Sequence, residues 1–298
     1  MKLKLWIQAA RLRTLPLSVS GIIVGSALAF SSVGFNALLF GLLMLTTILL
    51  QVLSNFANDV GDYEHGTDNA ERVGPQRGLQ SGGLTLKEMK YGVTAAAVIA
   101  FLSGVAMLYT AFGLDVNFWA FLAFGILTII AALRYTMGRN PYGYRGLGDV
   151  MVLVFFGWAT TIGSYYIICQ QITWQILVLG FGIGFLSMGV LNINNMRDAE
   201  TDAKTGKRTI IVKLGVKFGQ FYHLALCVLG VSAFVVFILA DKKPIQLLWI
   251  LLPSVLLLMH GIRIFICTNV KTIDPELKKL SLSTLLMAVL FGLCVVLG

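Results

Sequence analysis

Charge is scarce in this chain. Of its 298 residues, 12% are Asp, Glu, Lys or Arg and 57% are hydrophobic, against about 25% charged and 45–50% apolar in an average soluble domain. That shortage excludes a disordered chain and most soluble enzymes. Cysteine is scarce too: Cys169, Cys227, Cys267 and Cys294 lie in or at the ends of apolar runs. None of them forms a Cys-x-x-Cys pair or a Cys/His ligand spacing, which argues against a disulfide scaffold or a thiolate metal site. Acids number 14 against 23 bases, a net charge of +9. The bases are too dispersed among apolar runs to form a nucleic-acid surface. There is no low-complexity linker, so residues 1–298 read as one domain.

What is abundant is hydrophobic sequence in membrane-length blocks. A bilayer core of about 30 Å needs about 20 apolar residues per helix. Nine such runs occur, near Leu15–Val33, Ala37–Ala57, Gly92–Gly113, Val116–Leu133, Val150–Cys169, Thr173–Ile193, Phe221–Ala240, Ile245–Cys267 and Leu280–Leu297. The first lacks a small-residue cleavage site and is read as a retained helix. The expected fold is therefore all-α: a polytopic membrane protein with nine transmembrane helices in one bundle. With the N-terminus in the cytoplasm and nine crossings, 21 of the 23 bases fall on the cytoplasmic side, and only Lys242 and Lys243 fall outside. This satisfies the positive-inside rule and places the C-terminus outside.

The acids are not spread evenly. Asp59, Asp62, Glu64, Asp68 and Glu71 lie in one short stretch, and Asp198, Glu200 and Asp202 in another. Both stretches follow even-numbered spans and so form two Asp-rich cytoplasmic loops. On a continued helix Asn55, Asp59 and Asp62 share a face, as do Asn194, Asp198 and Asp202. The stretches echo each other as Asp-x-x-x-Gly, from Asp62 to Gly66 and from Asp202 to Gly206. Solvated loop charges are the plain explanation. Against it, asparagines sit on the same faces inside the apolar edge, where amides need partners, and bases lie a turn or two away. Carboxylate and amide oxygens suit Mg²⁺ whose shell is completed by water and phosphate.

At these residues the chain resembles the UbiA superfamily of intramembrane prenyltransferases, whose hallmark is two Asp-rich motifs on cytoplasmic loops of a nine-helix membrane fold. Asn55, Asp59, Asp62 and Asp68 stand in place of the first motif, and Asp198 and Asp202 in place of the second. The narrower likeness is to the 1,4-dihydroxy-2-naphthoate polyprenyltransferase branch of menaquinone biosynthesis. It rests on Val73-Gly-Pro-Gln-Arg77-Gly-Leu-Gln80-Ser-Gly82, on Pro141-Tyr-Gly-Tyr144-Arg145-Gly-Leu-Gly-Asp149 and on Asn194-Asn-Met-Arg197-Asp198. One departure is Leu12 in Ala10-Arg11-Leu12-Arg13-Thr14-Leu15-Pro16, where the branch has proline; it leaves the placement of Arg11 open.

The resemblance implies transfer of a polyprenyl group from polyprenyl diphosphate to 1,4-dihydroxy-2-naphthoate, with loss of CO2 and diphosphate, in the bacterial cytoplasmic (inner) membrane. It implies Mg²⁺, as two ions bridging the diphosphate, at Asp59, Asp62, Asp198 and Asp202. Asn55, Asn58 and Asn195 are expected to assist. Arg72, Arg77, Lys207 and Arg208 are candidates for the diphosphate oxygens, and Arg11, Asp68, Arg197, Tyr144 and Asp149 for further substrate contacts. Tyr135 is a candidate to stabilise an allylic cation, with an aromatic-belt role as the alternative. Two other readings stand beside this one. A related enzyme would act on 4-hydroxybenzoate or a porphyrin. A transporter would place ionisable groups near the bilayer midplane, yet Asp and Glu are absent from the centres of all nine spans.

Overall fold

The computed structural model describes residues 2–69, 73–242 and 244–297. Among the described residues it is helical throughout, with nine helices long and apolar enough to cross a membrane. They are α1 (Leu15–Val33), α2 (Ala37–Glu64), α3 (Leu86–Phe112), α4 (Val116–Arg134), α5 (Gly148–Cys169), α6 (Trp174–Arg197), α7 (Val216–Ala240), α8 (Leu247–Phe265) and α9 (Asp274–Leu297). A short helix, Lys2–Ala9, precedes α1. The starts are capped from the sequence: Asn36, Asp115 and Thr173 accept from backbone amides in the first turns of α2, α4 and α6. Thr85 and Glu88 form a capping box at α3.

Several helices outrun their hydrophobic runs, and nearly all of the excess lies at one end of the bundle. The second run stops near Ala57, but α2 continues to Glu64. The third run begins near Gly92, but α3 begins at Leu86; α6 continues to Arg197 and α9 begins at Asp274. At 28 residues, α2 is about 42 Å long, about 12 Å more than a bilayer core. Hydropathy marks only the part of a helix inside hydrocarbon. The projecting ends carry the polar residues described below.

Helix α6 is the most enclosed and packs against α5, α7 and α9, while α1 bridges α9, α5 and α2. The largest apolar core joins α1, α6, α7, α8 and α9, with Phe234, Phe291, Leu179 and Ile183 fully buried. Close approach of α5 and α6 depends on Gly157, where a Cβ would lie 2.6 Å from the Gly180 carbonyl oxygen. Around this contact α5 runs as a π-helix over Leu153–Ile162. Exposed Trp119, Leu127, Leu252 and Met259 form the kind of apolar exterior that lipid tails cover.

Candidate active site

At the end where the helices project, a cavity of about 440 Å³ is lined by five acids (Asp59, Asp62, Asp68, Asp198, Asp202) and five bases (Arg11, Arg13, Arg77, Arg197, Lys207). The formal charges of this wall cancel. An apolar cavity of about 340 Å³ adjoins it and shares Arg11, Asn58, Tyr135 and Asn194 as common wall. The apolar cavity runs between the helices, past Ser54, Leu50 and Thr47 on α2 to Leu43. From Asn58 to Leu43 is fifteen helical residues, a depth of about 22 Å.

The projecting turns of α2 hold the first group of acids. Arg77, from the loop before α3, aims each of its three guanidinium nitrogens at a different carboxylate. Nη1 meets Asp59, Nε stands 3.2 Å from Asp68, and Nη2 stands 3.5 Å from Asp62. Those three acids outweigh the cost of burial and hold Arg77 above its usual pKa. Arg11 also pairs with Asp59. It sits between the N-terminal helix and α1 with φ +50°, a left-handed conformation unfavourable for a side chain that bulky. Asn55 helps to brace that bend, since its amide donates to the Ala10 carbonyl at 2.9 Å and its oxygen accepts from Gln51. Asn58 accepts from Thr136 at 3.2 Å.

The second group lies at the end of α6. Continuous helix was expected from Asn194 to Asp202, but α6 ends at Arg197 and a separate turn, Ala199–Lys204, follows. Asp198 sits at the break with φ −97° and ψ 6°. Arg197 grips it with a fork, Nε to Oδ1 at 2.8 Å and Nη2 to Oδ2 at 2.6 Å. Asp202 stands 3.6 Å from the Lys207 ammonium, and its Oδ2 is buried with no hydrogen-bond partner. Burial pushes the Asp202 carboxyl up to about 6, against the pull of Lys207. Lys207, despite burial, is held above the usual lysine range by Asp62 and Asp202.

The echo between the two motifs is structural. Gly66 and Gly206 both have positive φ, +70° and +77°. In each case the residue after glycine returns its N–H to the motif aspartate, Thr67 to Asp62 O at 2.9 Å and Lys207 to Asp202 O at 2.8 Å. Each Asp-x-x-x-Gly is thus a Schellman-type helix stop, which turns the chain back over the carboxylate it has just placed.

The segment between α4 and α5 bridges the motifs. The Tyr144 hydroxyl donates to Asp62 Oδ1 at 3.0 Å, and its ring centroid lies 5.4 Å from Lys207 Nζ. Burial and Asp62 raise the Tyr144 hydroxyl well above its usual value. Tyr135 lines both cavities, and burial pushes its hydroxyl up to about 12, so it is a neutral phenol. Gly61 permits this approach: a Cβ there would lie 2.5 Å from the Thr136 backbone.

Like Tyr144, two candidates line neither cavity. Arg208 is exposed and lines neither cavity, so its placement corrects the expectation of a diphosphate contact. Its neighbour Lys207 turns inward because the Gly206 stop reverses the chain between them and the motif. Asp149 is buried but accepts from the Tyr222 hydroxyl at 3.1 Å and lines neither cavity. Arg72 lies outside the described residues. Asn195 lines the polar cavity. Two residues were not singled out from sequence as site residues. Arg13, counted there only as a topology base, lines the cavity; Asp274, on the first turn of α9, pairs with both Arg13 and Arg197.

A model of the UbiA prenyltransferase family matches residues 18–282 of this chain. The chain belongs to that family. Among UbiA-family relatives, the chain is 42% identical over 299 residues to the Haemophilus influenzae 1,4-dihydroxy-2-naphthoate octaprenyltransferase, covering 100% of this chain and 97% of that protein. It is 44% identical over 221 residues to the Escherichia coli protein of the same name, covering 74% and 72%. Its fold matches an apo UbiA homologue from Aeropyrum pernix at a TM-score of 0.69 and 17% identity, over 95% of this chain and 97% of that one. It also matches an Archaeoglobus fulgidus homologue bound to DMAPP and Mg²⁺ at 0.63 and 16%, over 96% and 98%.

The donor set of the UbiA-family cavity suits a hard cation. Among the described residues no three His, Cys, Asp or Glu cluster closely enough to enclose a metal ion. Mg²⁺ does not need such a cage: it commonly takes one or two carboxylates and completes its shell with water and substrate phosphate. The pairs Asp59/Asp62 and Asp198/Asp202 offer oxygen alone, and the unpartnered Asp202 Oδ2 is an open lone-pair site.

Proposed function

We propose that this chain transfers a polyprenyl group from polyprenyl diphosphate to 1,4-dihydroxy-2-naphthoate with release of CO2 and diphosphate, as a Mg²⁺-dependent step of menaquinone biosynthesis. The carrying observation is the junction of a charge-balanced polar cavity with an apolar cavity between membrane helices. Such a junction suits a substrate whose head is a polyanion and whose tail is hydrocarbon. The names of the Haemophilus and Escherichia relatives support the choice of acceptor. Residues 1–298 act as one membrane domain, since the short N-terminal helix and the bend after it, α2, α6 and α9 all contribute to the polar wall. We place that wall at the cytoplasmic face of the bacterial inner membrane, following the distribution of bases.

Asp59 and Asp62 would hold one Mg²⁺ and Asp198 and Asp202 a second. Mg²⁺ supplies neutralisation of the diphosphate charge and makes it a better leaving group. In the wall itself, Arg77, Arg11 and Lys207 exchange carboxylate partners for diphosphate oxygens, and arginine's planar fork suits that geometry. The allylic C–O bond breaks and its electron pair leaves with diphosphate. The Tyr135 ring, neutral at physiological pH, presents a π face where the cation forms. The electron-rich naphthoate ring attacks through the carbon bearing the carboxylate. Departure of CO2 returns the electron pair of that bond to the ring and restores aromaticity. The apolar cavity excludes water, which would otherwise capture the cation.

The test is direct. Purified protein in detergent, given a polyprenyl diphosphate, 1,4-dihydroxy-2-naphthoate and Mg²⁺, is expected to yield the prenylated, decarboxylated naphthoquinol by mass spectrometry, and none after EDTA treatment. Product from 4-hydroxybenzoate but not from the naphthoate would overturn the assignment of acceptor.

A further inference from the structure

Arg197 carries a fully buried charge. Its side chain is 1% exposed, and two of its nitrogens grip both oxygens of Asp198. If Asp198 ligates Mg²⁺, that fork must loosen, and a buried guanidinium without a counter-ion is strongly unfavourable. A second counter-ion is already in place. Arg197 Nη1 pairs with Asp274, whose other oxygen accepts from Arg13 at 2.9 Å. Asp274 comes from α9, distant in sequence, and stands at that helix's N-terminus, where a carboxylate is favoured.

We infer that Asp274 is a positioning residue for the metal site: the standby counter-ion of Arg197 that lets Asp198 turn from its arginine to a cation. The inference rests on the proposed metal role of Asp198. Arg13 draws on the same carboxylate and so opposes this effect. With Asp274 neutralised, Arg197 keeps Asp198 for itself, and Arg13 loses its carboxylate partner beside a dication site. At the effective dielectric of a partly buried site, one unit charge a few ångströms away changes cation affinity by more than about tenfold. Arg13 gives the effect a distinctive sign. Its removal frees Asp274 for Arg197 and lowers the local positive potential, so cation binding should tighten rather than weaken.

The test is Mn²⁺ binding to the purified full chain, without substrates, followed by electron paramagnetic resonance and accompanied by a melting curve for each variant. Wild type is expected to bind Mn²⁺ and Asp198→Asn to lose it. Asp274→Asn should weaken binding at least about tenfold, Asp274→Glu should restore most of it, and Arg13→Gln should bind as tightly as wild type or more tightly. Wild-type affinity in a folded Asp274→Asn protein, with Asp198→Asn inactive in binding, overturns the inference and leaves the metal site standing. Unchanged binding in Asp198→Asn overturns both. Should Asp274→Asn fail to fold, Arg13→Gln decides, and weaker Mn²⁺ binding there contradicts the counter-ion role.

Discussion

The hydroxyl of Tyr144 donates to Asp62 Oδ1 at 3.0 Å. The contact joins two segments 82 positions apart and holds one carboxylate of the first motif in place, while the same ring lies beside Lys207 of the second. A hydrogen bond to a charged group is worth about 1.5–3 kcal/mol. Tyr144→Phe keeps the ring and removes only the donor, so kcat/KM for the prenyl diphosphate is expected to fall by roughly 10- to 100-fold with an unchanged melting temperature. Steady-state assays at saturating acceptor measure it. Wild-type kinetics would mean that Asp62 does not depend on this bond.

Asp59 pairs with both Arg11 and Arg77. Asp59→Ala removes a proposed metal ligand and leaves two partly buried arginines sharing what remains. Turnover is expected to fall by on the order of a thousandfold or more, as for loss of a main electrostatic group in a catalytic site. Size-exclusion profiles separate this from misfolding. Near-wild-type turnover in both Asp59→Ala and Asp198→Ala would move the metal site elsewhere.

Without a bound cation, burial pushes the Asp202 carboxyl up to about 6, and a proton there competes with metal. Single-site competition at that value predicts apparent Mn²⁺ affinity about fourfold lower at pH 5.5 than at pH 7.5. Stability runs the other way. A carboxyl raised in the folded state contributes stability that is complete below its unfolded pKa and is lost as pH rises through about 6. Calorimetric titration at the two pH values, on wild type and Asp202→Asn, checks the sign. Affinity independent of pH would remove Asp202 from the ligands.

Gly104 lines the apolar cavity, and a Cβ there would meet only Thr46 Cγ2, at 3.7 Å. Gly104→Phe therefore projects into open space rather than into a neighbouring backbone. It is expected to raise KM for a long polyprenyl diphosphate at least tenfold more than for a short one, with the acceptor KM unchanged. Competition between two chain lengths, read by mass spectrometry, measures the ratio. An unchanged ratio would show that the tail does not occupy this cavity.

Much of this arrangement was legible from composition and spacing. Hydrophobic runs marked the spans, and Asn55, Asp59 and Asp62 do share one continuous helix because α2 runs on past its apolar stretch. The repeat of Asp62–Gly66 in Asp202–Gly206 was visible as letters and proves to be one kind of helix stop. What was hidden depended on turns and on distant pairing. The break at Asp198 comes from local capping geometry that periodicity does not encode. Lys207 and Arg208 are adjacent bases, and only the fold sends one inward and the other to the surface. Asp274 gave no signal at all, since its partners lie 77 and 261 positions away.

The most direct test of the account is carboxyl release coupled to prenyl transfer. With 1,4-dihydroxy-2-naphthoate labelled in its carboxyl carbon, a polyprenyl diphosphate and Mg²⁺, the account predicts one labelled CO2 for each prenylated product. Both should be lost together on chelation of Mg²⁺ or in Asp198→Ala. Prenylated product that retains the label, or label released without prenylation, would contradict it.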